Sequence, residues 1–125
     1  MTVERSTSGS PYEARYGFCR ALRVGERAYV AGTAPIWPDG ECDPDAGVQT
    51  RRCFQIALEA LREVAPEATV VRTRMFITDA RDADAVGQAH AEAFGDAPPV
   101  ATMLVVAGLL DPRWKVEIEL DAVCE

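Results

Sequence analysis

Near the end of the chain Glu117, Glu119 and Asp121 alternate with Val116, Ile118, Leu120 and Ala122, and earlier Arg72 and Arg74 alternate with Val71, Thr73 and Met75. A carboxylate beside a reactive carbon can orient or deprotonate water, and an arginine fork can pair both oxygens of a carboxylate ligand. Period-two alternation places each charged set on one face of a strand, so these rows carry the chemistry-bearing groups. Glu117 is then either a water-positioning acid or a charge paired with Arg72 or Arg74. Arg74 is either a cation that reaches a cleft ligand or one half of an ion pair at a subunit interface, the commoner use of such a residue. An acidic row and a basic pair on one sheet face also suit a homo-oligomer, in which neighbouring copies bring opposite charges together.

The remaining reactive side chains offer less. His90, the only histidine, falls four residues after Val86 and four before Phe94 on an apolar helix stripe, which predicts a packed, hydrogen-bonded imidazole rather than a general base. Cys19, Cys42, Cys53 and Cys124 form no CxxC pair. They read as free thiols of a reducing compartment, Cys19 as a small apolar residue, and with one histidine no zinc site is expected. Trp37 and Trp114 suit loop or edge packing, although Trp37, near Gly32-Thr33, could also roof a small ligand. Thirteen basic against twenty acidic residues give a net charge of -7, which disfavours nucleic-acid partners. The polar start from Met1 to Ser10 lacks a signal-peptide core, and the longest apolar run, Met103 to Leu110, is too short to span a bilayer. A soluble, cytoplasmic protein without a membrane partner is expected.

At 125 residues with 48% apolar content the chain fits one domain, 1–125, with a core of about 12–123 that needs no staples. Tyr16 to Leu22 and Arg27 to Gly32 suit two strands joined through Arg23-Val24-Gly25-Glu26. A Pro, Gly and Asp-rich loop from Pro35 to Gly47 precedes an amphipathic helix from about Ala46 to Val64, with Asp45 as N-cap and Pro66 as stop. A β-branched strand from Ala68 to Thr78 follows, then a shorter helix carrying Ala83, Val86, Ala89, His90, Ala93 and Phe94 and closed by Gly95. Strands from Val100 to Ala107 and Trp114 to Val123 complete a β-β-α-β-α-β-β order, an α+β domain with two helices on one face of a mixed sheet. Alternation assigns Val71, Thr73, Met75 and Ile77 to the helix-covered face of the central strand.

Several segments in order resemble the RidA/YjgF family of small imine and enamine deaminases: Gly17-Phe18, Val24-Gly25, Val30-Ala31-Gly32-Thr33-Ala34-Pro35, Gln49-Thr50, Val70 to Thr73 with Phe76 and Asp79, Pro99 to Thr102, and Val116 to Glu119. The resemblance spans about Tyr12 to Val123. It implies a chorismate-mutase-like fold, a homotrimer with the sheets around a central barrel, and a small-molecule site in each cleft between subunits. It implies chemistry without metal or organic cofactor, in which an arginine holds the carboxylate of the imine and a glutamate positions the attacking water. Glu117 aligns with that glutamate, whereas Ala101 stands at the arginine position and Phe18 where many members have tyrosine. Arg72-Thr73-Arg74, Ala101-Thr102-Met103 and Leu109-Leu110-Asp111-Pro112 resemble an arginine-lacking branch.

The function so implied is a hydrolytic deaminase or related hydrolase acting on an imine, enamine or carbonyl metabolite. Glu117 is its catalytic residue, and Phe18, Gly32, Thr33, Arg74, Ala101 and Met103 are the residues around the ligand. The competing reading is a non-catalytic metabolite-binding or interaction protein on the same scaffold. A ribonuclease ranks third, because the acidic balance opposes RNA.

Overall fold

A computed structural model describes residues 2–125. Six strands, β1 (Val3–Ser6), β2 (Ala21–Val24), β3 (Arg27–Thr33), β4 (Thr69–Ile77), β5 (Val100–Val105) and β6 (Val116–Val123), form one sheet in the order β1-β2-β3-β6-β4-β5. The β4–β5 pair is parallel and the other neighbours are antiparallel. Between the strands run α1 (Pro11–Tyr16), α2 (Ala46–Val64) and α3 (Ala83–Phe94), with a short 3₁₀ turn at Ala80–Asp82 ahead of α3. The sheet is mixed and α2 and α3 share one of its faces, as the patterning predicts.

The long helix α2 keeps its expected bounds because its signals are local. The Asp45 carboxylate accepts a 2.9 Å bond from the Val48 amide, satisfying one of the first-turn donors that lack a helical partner. Cys53, Phe54, Ala57, Leu61 and Val64 are buried, a stripe of helical period set against the sheet. In β6 Val116, Ile118, Leu120 and Ala122 are buried toward that stripe, while Glu117, Glu119 and Asp121 stay partly accessible on the opposite face. His90 is the packed imidazole its helix position predicts. Its Nε2 lies 2.7 Å from Thr73 Oγ1, and its ring meets Phe54 edge-on with centroids 5.6 Å apart.

The strands differ from expectation chiefly at two places, while β5 ends at Val105 and β6 starts at Val116, two residues inside their expected limits. The segment from Tyr16 to Leu22 is not one strand. Tyr16 ends α1, Gly17 turns left-handed at φ 75° to cap it, and pairing in β2 begins only at Ala21. The start of α1 has its own signal, since the Ser10 side chain accepts from the Tyr12 amide at 3.3 Å and Pro11 takes the first turn. The second change is in β4, where Val70 pairs with Ala122 but Arg72 with Asp121, leaving Val71 as an extra, bulged residue. The bulge shifts the parity, so Val70 packs against the core and Val71 is 38% exposed instead of sharing the helix-covered face with Thr73, Met75 and Ile77.

Two further elements add to the expected order. β1 pairs antiparallel with β2 from Val3↔Val24 to Ser6↔Ala21, and α1 follows it. Three of the four β1 residues are exposed, so the strand is held by its backbone ladder rather than by apolar alternation. The β2–β3 turn also tightens to Gly25-Glu26, with Gly25 at φ 61° supplying the left-handed conformation that a two-residue hairpin needs.

Candidate functional site

A cleft of about 540 Å³ opens between the N-terminal segment, the end of β3 with its following loop, and the outer side of α2; Glu117 and Trp114 complete its wall. Three fully or largely buried polar side chains shape it. Gln49 lies at the start of α2 and is fully buried. Its Nε2 donates to the carbonyls of Asp43 at 2.8 Å and Arg113 at 3.0 Å, while its Oε1 accepts from the Lys115 amide at 2.8 Å. One amide thus ties the loop before α2 to the approach to β6 and fixes the end of the cleft beside Trp114.

The other two are Arg20 and Glu13, whose side chains are only 6% and 5% exposed. Arg20 Nη2 and Nε lie 3.2 and 3.3 Å from Glu13 Oε2, and Nη1 donates to Thr33 Oγ1 at 3.2 Å and to the Gly32 carbonyl. Thr33 Oγ1 in turn donates to the Ala31 carbonyl at 2.8 Å. The guanidinium also lies 5.4 Å from the centre of the Phe18 ring. Burial alone would push the Glu13 carboxyl up, but hydrogen bonds from the Ser8 hydroxyl and amide and the Arg20 charge outweigh it and hold the group below its usual range. Arg20 therefore clamps the Gly32-Thr33 backbone against α1. Arg20 is not among the residues expected at the site, although it is the only charge in the run Phe18-Cys19-Arg20-Ala21-Leu22.

Glu117 stands on β6 with its carboxyl directly over Gly32, so closely that a Cβ at position 32 would collide with Oε1. Only the missing side chain of glycine admits the carboxyl there. Burial in the cleft raises the Glu117 pKa above its usual value, the Arg20 charge pulls against that rise, and Glu119 adds to it. A half-buried carboxyl whose pKa is raised holds a proton more readily than a surface glutamate, which suits a group that exchanges protons with a ligand or water.

The residues singled out from the sequence divide into two places. Phe18, Gly32, Thr33 and Glu117 line the cleft, and so does Trp37. Arg74, Ala101 and Met103 lie outside its walls. Arg74 Nη1 is 3.2 Å from Glu119 Oε1 and 3.8 Å from Asp121 Oδ2 on the uncovered sheet face. Ala101 is exposed on the edge strand β5 opposite Thr73, two strands from Glu117, and Met103 packs against the core opposite Met75. Among the described residues no three His, Cys, Asp or Glu side chains gather as metal donors. No helix among them is long and apolar enough to cross a membrane.

A protein-family model described as endoribonuclease L-PSP matches residues 9–124. An uncharacterized protein of Streptomyces coelicolor is 44% identical over 124 residues, covering 96% of this chain and 91% of that protein. A RutC family protein of Haemophilus influenzae is 29% identical over 98 residues, covering 78% of this chain and 82% of that one. Among solved structures, Rv2704 of Mycobacterium tuberculosis, a member of the YjgF/YER057c/UK114 family, superposes with a TM-score of 0.87 at 36% identity over 98% of this chain and 99% of that one. With the family model spanning nearly the whole fold and a solved member of the family superposing over 98% of this chain, the chain belongs to the RidA/YjgF family.

Proposed function

We propose that this chain is a cofactor-free hydrolase of small reactive imines, enamines or related carbonyl compounds, working in the cytoplasm as a homotrimer. The observation that carries this reading is the Glu117 carboxyl, half-buried in the cleft, lodged over Gly32 and raised in pKa. In the reaction proposed, Glu117 takes a proton from water as the oxygen bonds to the imine carbon. The C=N bond becomes C=O, the proton is passed to nitrogen, and ammonia leaves. Thr33 and the backbone of Gly32, held by Arg20, border the space for the ligand.

The trimer is supported by the sheet face that no helix covers. It carries the Arg74, Glu119 and Asp121 charges together with exposed Tyr29 and Leu104, a mixture suited to contact with another copy. In such an assembly the exposed edge strand β5 would bring Ala101 of one subunit toward a neighbour's cleft, while Met103 stays packed against its own core. The second reading, a binding protein without turnover, draws on Ala101, which offers no cation to a carboxylate ligand. Cleavage of RNA is disfavoured by the net charge of -7 and by the carboxylates along the cleft.

The test generates 2-aminoacrylate in situ and follows keto-acid release by the natural protein and by Ala101→Arg. The hydrolase reading expects little acceleration by the natural chain and a gain of at least about tenfold in Ala101→Arg, as a bidentate carboxylate partner is restored. Saturable ligand binding with no product from any imine, in either protein, would favour the binding-protein reading.

A further inference from the structure

The cleft has an uneven charge balance that bears on what it accepts. Glu59 and Glu63 lie one helical turn apart on the outer side of α2 and both border it, and Glu117 stands deeper in the wall. Against these three carboxylates the lining contains two arginines. Arg20 is cancelled by Glu13, and most of its donors are spent on Glu13, the Gly32 carbonyl and Thr33. Arg52 directs Nε to the Ile36 carbonyl at 2.7 Å and Nη1 to Gln55 Oε1 at 3.1 Å, so its fork is turned toward the loop after β3 and its own helix. An incoming carboxylate would meet excess negative charge and no open arginine fork. An incoming cation would meet carboxylates together with the aromatic walls of Tyr12 and Trp37, whose ring faces attract positive charge. The net charge of -7 adds a long-range field of the same sign.

We propose that this cleft selects an organic cation with an apolar body and no carboxylate, recognised by Glu59 and Glu63. The inference rests on reading this cleft as the functional site and names the substrate class for it: a protonated imine of an amine rather than an imino acid. The reaction balances without a redox partner. R–CH=NH₂⁺ and water give R–CHO and NH₄⁺, with one C–O bond made, the C–N bond broken and the proton shuttled by Glu117. The reaction class that must supply such a substrate is the two-electron oxidation of an amine to its imine.

Binding and turnover test the two levels separately. Isopentylammonium and isovalerate carry the same branched hydrocarbon end with opposite charges, and each is titrated calorimetrically into the assembled protein at low salt. Isopentylammonium is expected to bind at least about tenfold tighter, with the preference shrinking as salt rises and collapsing in the Glu59→Gln/Glu63→Gln double variant. Equal affinity, a preference for isovalerate, no saturable binding of either compound, or a preference that survives in the double variant overturns the proposal. Turnover is measured apart, by supplying the imine of isopentylamine from a flavin amine oxidase and following ammonium release. If the cation binds selectively but its imine is not hydrolysed faster than in buffer, the hydrolase reading fails while the charge selection stands.

Discussion

Glu117→Gln is expected to lower imine hydrolysis by at least about a hundredfold, the usual scale for removing a positioned acid–base group, while leaving the fold intact. The stability of the variant separates this role from a structural one. The Glu117 pKa is raised on folding, chiefly by burial, so the folded state holds its proton more tightly than the unfolded chain. Stability contributed by that group therefore falls as the pH climbs from the usual glutamate range through the raised folded value, and above both the buried charge is a cost. The glutamine variant removes that cost, so it should be at least as stable as the natural protein near neutrality while being far less active. A carboxylate kept for an ion pair would behave in the opposite way. Gly32→Ala reports on the same geometry from the other strand, because its methyl group would displace the carboxyl from its seat. It should lose activity although Glu117 is still present.

Arg20→Met is expected to destabilise the protein by about 3–5 kcal/mol, because it leaves the Glu13 carboxylate buried without its counter-charge. Replacing both partners, as Glu13→Gln with Arg20→Met, should recover most of that loss in urea denaturation, since a neutral pair carries no uncompensated charge. The pair also has a pH signature. The Glu13 pKa is lowered on folding, because the Ser8 hydrogen bonds and the Arg20 charge exceed the effect of burial. Its stabilisation is therefore present above the usual carboxyl range and is lost as the pH falls through the depressed folded value. The double variant should lack that acid-side loss. Recovery of stability without recovery of turnover would show that the clamp on Gly32-Thr33, and not the charge balance alone, matters to the site.

The parts of this architecture that could be read from residues alone are those with local causes. Asp45, the 3.6-residue stripe and Pro66 delimit α2, and strict alternation in β6 separates its buried side chains from Glu117, Glu119 and Asp121. Alternation fails at Val71 because a bulge depends on the partner strand: the register against Ala122 and Asp121 decides which residue is extra. β1 escaped notice because its ladder with β2 requires no apolar pattern, only backbone pairing. The Ser10-Pro11 start and the Gly17 stop of α1 were legible in principle but are short signals around a six-residue helix.

The site divides in the same manner. Gly32, Thr33 and Glu117 come from neighbouring strands whose patterns are recognisable, and they meet in the cleft. Arg20 belongs to a clamp made of α1, β3 and the segment before β2, a combination that exists only once the end of β3 has folded back against α1. The acidic lip of the cleft likewise arises from the outer side of α2, where Glu59 and Glu63 resemble ordinary solvated helix charges until the N-terminal segment closes opposite them.

If Glu117 is a partly desolvated, proton-exchanging carboxyl held over Gly32, its own titration must show it. Carbon-13 NMR of glutamate-labelled protein follows each side-chain carboxyl with pH, and the Glu117→Gln variant identifies its signal. Its midpoint is expected above the usual glutamate range, because burial penalises the charged form. A midpoint at or below that range would contradict it.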